Sequence, residues 1–192
     1  MNNKEIFEKA YKYMDVTLTE SNCGLLCNYH CCRAVDENGC ALGIYFLPFE
    51  YNEIQKNEKL IDENSIEIHT RKVYDLPVGI NKMFFGNCKD NTNCIRSLRP
   101  IQCRTFPFAP HIENGKLYLI IEKEQEHDCP LIEKKELWNP DFEKSILKGW
   151  KELLRIKEIR ILIEYDSFVR SNENNILYKY AQSEELKGIY YK

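Results

Sequence analysis

Long apolar runs are missing from this 192-residue chain. The apolar stretches are short, as at Leu117–Ile121, so no transmembrane helix fits and no membrane contact is expected. The first fifteen residues are interrupted by Lys and Glu and hold no signal-peptide core, so a cytosolic chain is expected. A basic surplus is also missing: 27 Lys and Arg stand against 30 Asp and Glu, for a net charge of -3. General nucleic-acid binding usually needs the opposite balance, so no nucleic-acid partner is expected. There is no Gly-rich cofactor loop, no internal repeat and no low-complexity segment. Several common cysteine spacings are absent as well. The chain has no Cys-x-x-Cys pair of the zinc-ribbon or thioredoxin kind, no ferredoxin run with two-residue gaps, and no radical-SAM spacing of three then two residues.

Cysteine itself is abundant. Five of the nine cysteines fall within Ser21–Cys40. In a reducing compartment, clustered thiols bind metal more often than they pair with one another. Nine is also odd, so a closed disulfide set would leave one thiol over. A metal ion or cluster is therefore the expected partner.

The cysteines form two sets. In the first, Cys23, Cys27 and Cys31 recur every four residues, and on a helix adjacent members would project from one face. Cys32 would point about 100° away from Cys31, toward a different edge or a different metal. Gly24 and Asn28 are mediocre helix formers, so a knuckle-like loop is the alternative. The second set is Cys88, Cys94 and Cys103, with Cys129 following. Sets about sixty residues apart suit a site that ties two chain segments, as a four-ligand zinc site or a cubane iron–sulfur cluster does. Binding would offset loop-closure entropy, so folding is expected to depend on metal.

Eight cysteines are thus candidate ligands: Cys23, Cys27, Cys31, Cys32, Cys88, Cys94, Cys103 and Cys129. Cys40, just before an apolar run, is read as a small buried hydrophobe. His127, two residues from Cys129, is the best substitute ligand; His30, His69 and His111 are not expected to bind. Thiolate centres carry negative charge, and Arg99 and Arg104 flank Cys103. They are expected to donate to sulfur or to a nearby carboxylate, the plainer alternative being a salt bridge to Glu50 or another acid.

Hydrophobic residues make up 43% and aromatics 12%, enough for a core. Residues 3–14 read as a helix with Ile6, Phe7, Ala10, Tyr11 and Met14 on one stripe. A second helix is expected over 140–155, capped by Asn139, with Pro140 at its first position. Its apolar face is Phe142, Ile146, Trp150, Leu153 and Leu154; the basic stripe Lys144, Lys148, Lys151 and Arg155 reads as a solvated face. A short helix is expected after Pro48 and a strand near Ile66–Val73. Asn87–Cys103 reads as loop. Glu113–Lys116 reads as a hairpin turn into a strand at Leu117–Ile121, and Arg160–Val169 as a further strand. The expected class is α+β, a small mixed domain organised around a cysteine-ligated metal site. The domain is placed at 1–170, with 171–192 a polar, tyrosine-rich C-terminal extension.

Cys27-x3-Cys31-Cys32, Glu50 after an apolar run, Cys88, Cys94 and Arg99-Pro100-Ile101-Gln102-Cys103-Arg104-Thr105-Phe106-Pro107-Phe108 together resemble the YkgJ-type cysteine-cluster family. The resemblance spans Ser21 to Phe108, with Cys129 as a further match. It implies a zinc- or iron-chelating domain, and Cys27, Cys31, Cys94 and Cys103, which lie in its strongest-matching stretches, are the preferred ligand set. The same cluster occurs in longer proteins similar to flagellin lysine N-methylases, where it accompanies an iron–sulfur centre, which makes a 4Fe-4S cluster the favoured cofactor over zinc. The expected function is metal binding. The alternatives are a small metalloenzyme or methyltransferase-like protein, with Glu50 the one acid–base candidate, and a metal-loaded interaction module.

Overall fold

The computed structural model describes residues 1–33, 43–53, 66–87, 96–124, 129–183 and 186. Helix α1 (Asn3–Tyr13) opens with a capping box: the Asn2 side chain accepts from the Glu5 amide, and the Glu5 carboxylate accepts from the Asn2 amide. The five residues of its expected stripe are all buried. They lie against α5 (Phe142–Leu153), whose five expected apolar residues are buried too. Gly149 makes that approach possible. A Cβ there would sit 2.6 Å from Met14 Cγ and Cε.

The Asn114–Gly115 turn has positive φ at both residues, 50° and 72°, which suits a tight hairpin. It joins β4 (Ala109–Glu113) to β5 (Lys116–Ile121). Along β5, Leu117, Leu119 and Ile121 point into the core cluster, as the two-residue period of a strand requires. The third strand, β6 (Tyr178–Gln182), completes an antiparallel sheet in the order β4-β5-β6. A smaller antiparallel sheet comprises β1 (Ile44–Tyr45), β2 (Glu67–Thr70) and β3 (Lys82–Gly86), in the order β1-β3-β2. Short helices α2 (Cys23–Cys27), α3 (Glu50–Glu53) and α4 (Ile101–Thr105) connect these parts. The molecule is a mixed helix-and-sheet fold, in line with α+β. None of its described helices is long and apolar enough to cross a membrane.

Four expectations need correction. Residues 160–169 are helical, within α6 (Lys157–Asn172). The β-branched run suggested a strand, but Ile159, Leu162, Ile163 and Ser167 are buried at helical spacing. Ion pairs four residues apart, Arg160–Glu164 at 2.7 Å and Asp166–Arg170 at 3.8 Å, lie along the helix. Helix α5 starts two residues later than expected: the Asn139 side chain accepts from the Asp141 amide, and Pro140 lies in the preceding turn. The expected boundary after residue 170 falls inside α6, and beyond it β6 and the buried Leu186 belong to the sheet and the core. Finally, Asn87–Cys103 is not all loop. Arg96–Leu98 forms a 3-10 turn, and Cys103 lies on α4.

Candidate metal centre

The first cysteine set does not form one continuous helix. Asn22 caps α2 by accepting from the Gly24 amide at 3.1 Å. The helix stops at Asn28, which takes the left-handed conformation at φ 52°, and Tyr29 follows it at φ 56°. Left-handed backbone is easy for Asn and costly for a bulky aromatic. The two residues turn the chain into a 3-10 segment, His30–Cys32. Tyr29 folds back over Gly24, where a Cβ would stand 2.4 Å from the Tyr29 ring. The knuckle-like alternative is therefore the observed one.

This turn and a distant segment share a cleft. Cys23, Cys27, Cys31, Cys32 and Cys129 are among the residues that line it, with Arg99, Phe106 and Leu131. The cleft holds about 30 Å³ of space, room for an ion or a pair of waters. All six described cysteines are thiols; Cys129 is buried, and the other five are half-buried. Cys31 Sγ and Cys32 Sγ stand 3.9 Å apart, so the expectation that they serve different edges does not hold. The turn after Tyr29 brings both to one place.

Their electrostatics differ. Cys32 is held below the ordinary thiol range. The hydrogen bond from the Cys31 thiol is the main cause; the Arg99 charge adds to it, and burial opposes it. Cys31 is pushed up in consequence, by that same hydrogen bond first and by burial second. Cys23 is also raised, chiefly by burial, with Arg99 pulling the other way. The pair thus favours a thiolate at Cys32 over one at Cys31, and a thiolate is the form a soft metal needs.

The two arginines part company. Arg99 lines the cleft, where its charge compensates thiolate. Of the two expected acceptors, sulfur or a nearby carboxylate, Arg104 takes the carboxylate, that of Asp15. Its five N–H groups are spent on the carbonyls of Arg99 (2.8 Å), Arg96 (2.9 Å), Ser97 (2.9 Å) and Tyr11 (3.5 Å) and on Asp15 Oδ1 (3.2 Å). Its guanidinium also lies 4.4 Å over the Tyr11 ring. The salt-bridge alternative is met by Asp15 rather than Glu50. Arg96 reinforces the clamp by donating to the carbonyls of Met14, Asp15 and Val16 at the end of α1. Together they fasten the segment carrying Arg99 to α1.

Glu50 is part of the same framework. It is fully buried and accepts from Tyr11 Oη at 2.6 Å, the Ile101 amide at 2.7 Å and the Leu47 amide at 2.9 Å. It joins α1, α3 and the start of α4. Burial pushes its carboxyl up, against those three bonds and the Arg104 charge. Nothing in its position along the chain signalled this role, because all three donors except Leu47 are distant in sequence.

Cys103 does not line the cleft, although its charge raises Cys31. Cys40, Cys88, Cys94 and His127 lie outside the described residues. Of the remaining histidines, His30 is exposed, while His69 and His111 are buried elsewhere in the sheets. Among the described residues, no three His, Cys, Asp or Glu side chains are gathered closely enough to hold a metal ion.

No family model, curated protein or solved structure matches this chain. The thiol geometry offers its own test of fit. With metal–sulfur bonds of about 2.3 Å, the edge of a tetrahedral thiolate site is about 3.8 Å. The Cys31–Cys32 separation of 3.9 Å matches that edge. In a cubane each thiolate ends on a different iron, so its cysteine sulfurs stand farther apart. The Cys31–Cys32 spacing alone is that of a single-ion edge, and Cys23, Cys27 and Cys129 are among the other residues that line the cleft.

Proposed function

We propose that this chain is a metal-binding protein with a thiolate centre at the cleft. The observation that carries this is the convergence of Cys23, Cys27, Cys31 and Cys32 with Cys129, about a hundred residues away, on one small space. The YkgJ-type resemblance supports the same reading and adds Cys88, Cys94 and Cys103 as further candidates. A single ion of the zinc class suits the Cys31–Cys32 spacing better than an iron–sulfur cluster does. Such an ion, when bound, supplies a Lewis-acidic, thiolate-stabilised positive centre. Cys32 and Cys31 would hold such an ion as thiolates, and the Arg99 charge would offset the negative charge on the sulfurs. Gly24 and Tyr29 hold the turn that sets the sulfurs side by side.

The catalytic alternative has less behind it. Glu50 is committed to three framework hydrogen bonds and has no solvent contact. In the basic stripe of α5, Lys144, Lys148 and Arg155 are exposed, as a solvated face would be.

Anaerobic purification followed by metal and sulfide analysis tests the proposal. About one equivalent of zinc-class metal, or iron with matching sulfide, is expected. Cys32→Ser and Cys129→Ser should each lose most of it. A wild-type chain with no bound metal after reconstitution would overturn the proposal, and iron with equimolar sulfide would replace the single ion by a cluster.

A further inference from the structure

The small sheet carries a cluster of polar side chains, none of which lines the thiol cleft. Strand register assembles it. Glu67 and His69 are two residues apart on β2, so both side chains stand on one face of the sheet. Phe85 of β3 pairs with Glu67 on one side and with Tyr45 of β1 on the other, which brings Tyr45 onto the same face. There Tyr45 Oη lies 2.7 Å from His69 Nδ1, and His69 Nε2 lies 3.0 Å from Glu67 Oε2. An ionised carboxylate can only accept, so Nε2 carries the ring proton. In the neutral ring Nδ1 is then left to accept from the Tyr45 phenol. The imidazole is also held by rings: Tyr74 stacks on it at 3.7 Å and 7°, and Phe85 at 5.3 Å and 14°. Carboxylate, imidazole and hydroxyl thus follow one another in the order orienter, base and nucleophile. His69 is buried between them, while Tyr45 is half-buried and Glu67 exposed, so both end residues keep surface in solvent.

We propose that Tyr45 is a nucleophile toward neutral, activated acyl groups, with His69 as its general base and Glu67 as the residue that orients the imidazole. In the step, the Tyr45 phenol oxygen forms a bond to the acyl carbon, and its proton passes to His69 Nδ1. The bond from the acyl carbon to the leaving group breaks, and the leaving group departs with the electron pair. The imidazolium, stabilised by Glu67, then returns its proton to the leaving group or to solvent. The product is an aryl ester on Tyr45, and nothing is oxidised or reduced. Charge selects the electrophile. Of the strand residues on this face, Tyr45, Glu67, His69, Met83 and Phe85, none is Lys or Arg, and Lys82 stands on the opposite face, 5.3 Å over Phe84. A phosphoryl group would bring its own negative charge up to the Glu67 carboxylate, whereas a neutral ester does not. The Tyr74 and Phe85 rings give such an ester apolar surface to lie on.

The test treats the full chain with p-nitrophenyl acetate and reads acetylation residue by residue by mass spectrometry, which separates tyrosines from thiols. Tyr178 is the reference: it is more exposed than Tyr45, but it donates to Glu133 rather than to an imidazole. Exposure alone would favour Tyr178, so the direction of the difference is diagnostic. Tyr45 should acetylate about tenfold faster than Tyr178, or more. His69→Phe keeps an aromatic ring in the stack and removes the base; it should slow Tyr45 about a hundredfold and leave the Tyr178 rate unchanged. Glu67→Gln removes the charge that stabilises the imidazolium and should slow Tyr45 about tenfold. Should His69→Phe fail to fold, the wild-type ratio and the variant at exposed Glu67 decide. Acetylation of Tyr45 no faster than that of Tyr178, or a Tyr45 rate that the folded variants do not alter, would overturn the relay and leave a histidine that only joins β1 to β2. With p-nitrophenyl phosphate in place of the acetate, Tyr45 should stay unmodified, and its phosphorylation would overturn the choice of a neutral acyl group.

Discussion

Replacing Glu50 with glutamine keeps the size of the side chain and removes one acceptor, so it isolates the hydrogen-bonding role. The carboxylate uses one oxygen for Tyr11 Oη and the Ile101 amide, and the other for the Leu47 amide. Glutamine has one acceptor oxygen and an NH₂ with two donors. Its oxygen serves best beside Tyr11 and Ile101, which leaves its NH₂ facing the Leu47 N–H with no acceptor between them. Each buried donor left without an acceptor costs about 1–3 kcal/mol. The two remaining bonds lose ionic character, roughly 1 kcal/mol each, the difference between charged and neutral hydrogen bonds. Burying a neutral amide instead of an anion returns part of this, as the raised Glu50 pKa indicates. The net loss is about 2–3 kcal/mol, a large share of the 5–15 kcal/mol typical of a domain. Urea denaturation at pH 8, with an unchanged slope, should show it. Because burial raises the folded-state pKa of Glu50, its contribution declines as pH rises from about 4.5 toward that value. The gap between wild type and variant should therefore be wider in acid than at pH 8. A variant within about 0.5 kcal/mol of wild type at pH 8 would refute the framework role.

Arg104→Lys should destabilise by about 2 kcal/mol or more by chemical denaturation, because three ammonium donors cannot meet five acceptors and the stack on Tyr11 is lost. Gly149→Ala should cost about 1 kcal/mol in the same assay: helix propensity returns about 1 kcal/mol, but overpacking against buried Met14 costs about 1–3 kcal/mol. Gly24→Ala should displace the Tyr29 ring and lower metal affinity several-fold by titration, with little change in the melting temperature of the metal-free chain. His111 is fully buried, with neither ring nitrogen hydrogen-bonded among the described residues, and burial together with the Arg170 and Lys179 charges lowers its pKa. Its stability penalty therefore appears as pH falls below about 6.5, where the unfolded chain takes up a proton and the folded one does not. Glu113 and Glu152, both lowered, lose their contributions only below about 4.5. Asp166, raised to about 6 by burial, has the opposite slope in an overlapping window, so the comparison is with His111→Phe. That variant should lack the acid-side loss between about pH 6.5 and 5 that is expected of wild type.

What the sequence determined alone was written within a few residues. The stripe of α1, the apolar face of α5 and the Asn114–Gly115 hairpin were legible because period and turn chemistry are local properties. The thiol-rich turn was legible as a candidate centre for the same reason: four of its sulfurs fall within ten residues. Tertiary structure decided the rest. The run Ile161–Leu162–Ile163 suits strand or helix, and packing of one face against β4 selects the helix. Tyr178–Gln182 has too little pattern to read as a strand and becomes one by pairing with β5, nearly sixty residues earlier. Cys31 and Cys32 meet because Tyr29 accepts a left-handed backbone beside Gly24, a conformation that residue type disfavours. Arg104 serves the backbone of its own loop and Asp15 rather than sulfur, since its five donors find five oxygens brought there by α1 and the loop before α4. Partner choice among long polar side chains depends on which acceptors the fold leaves unmet nearby, and that is a property of the assembled chain.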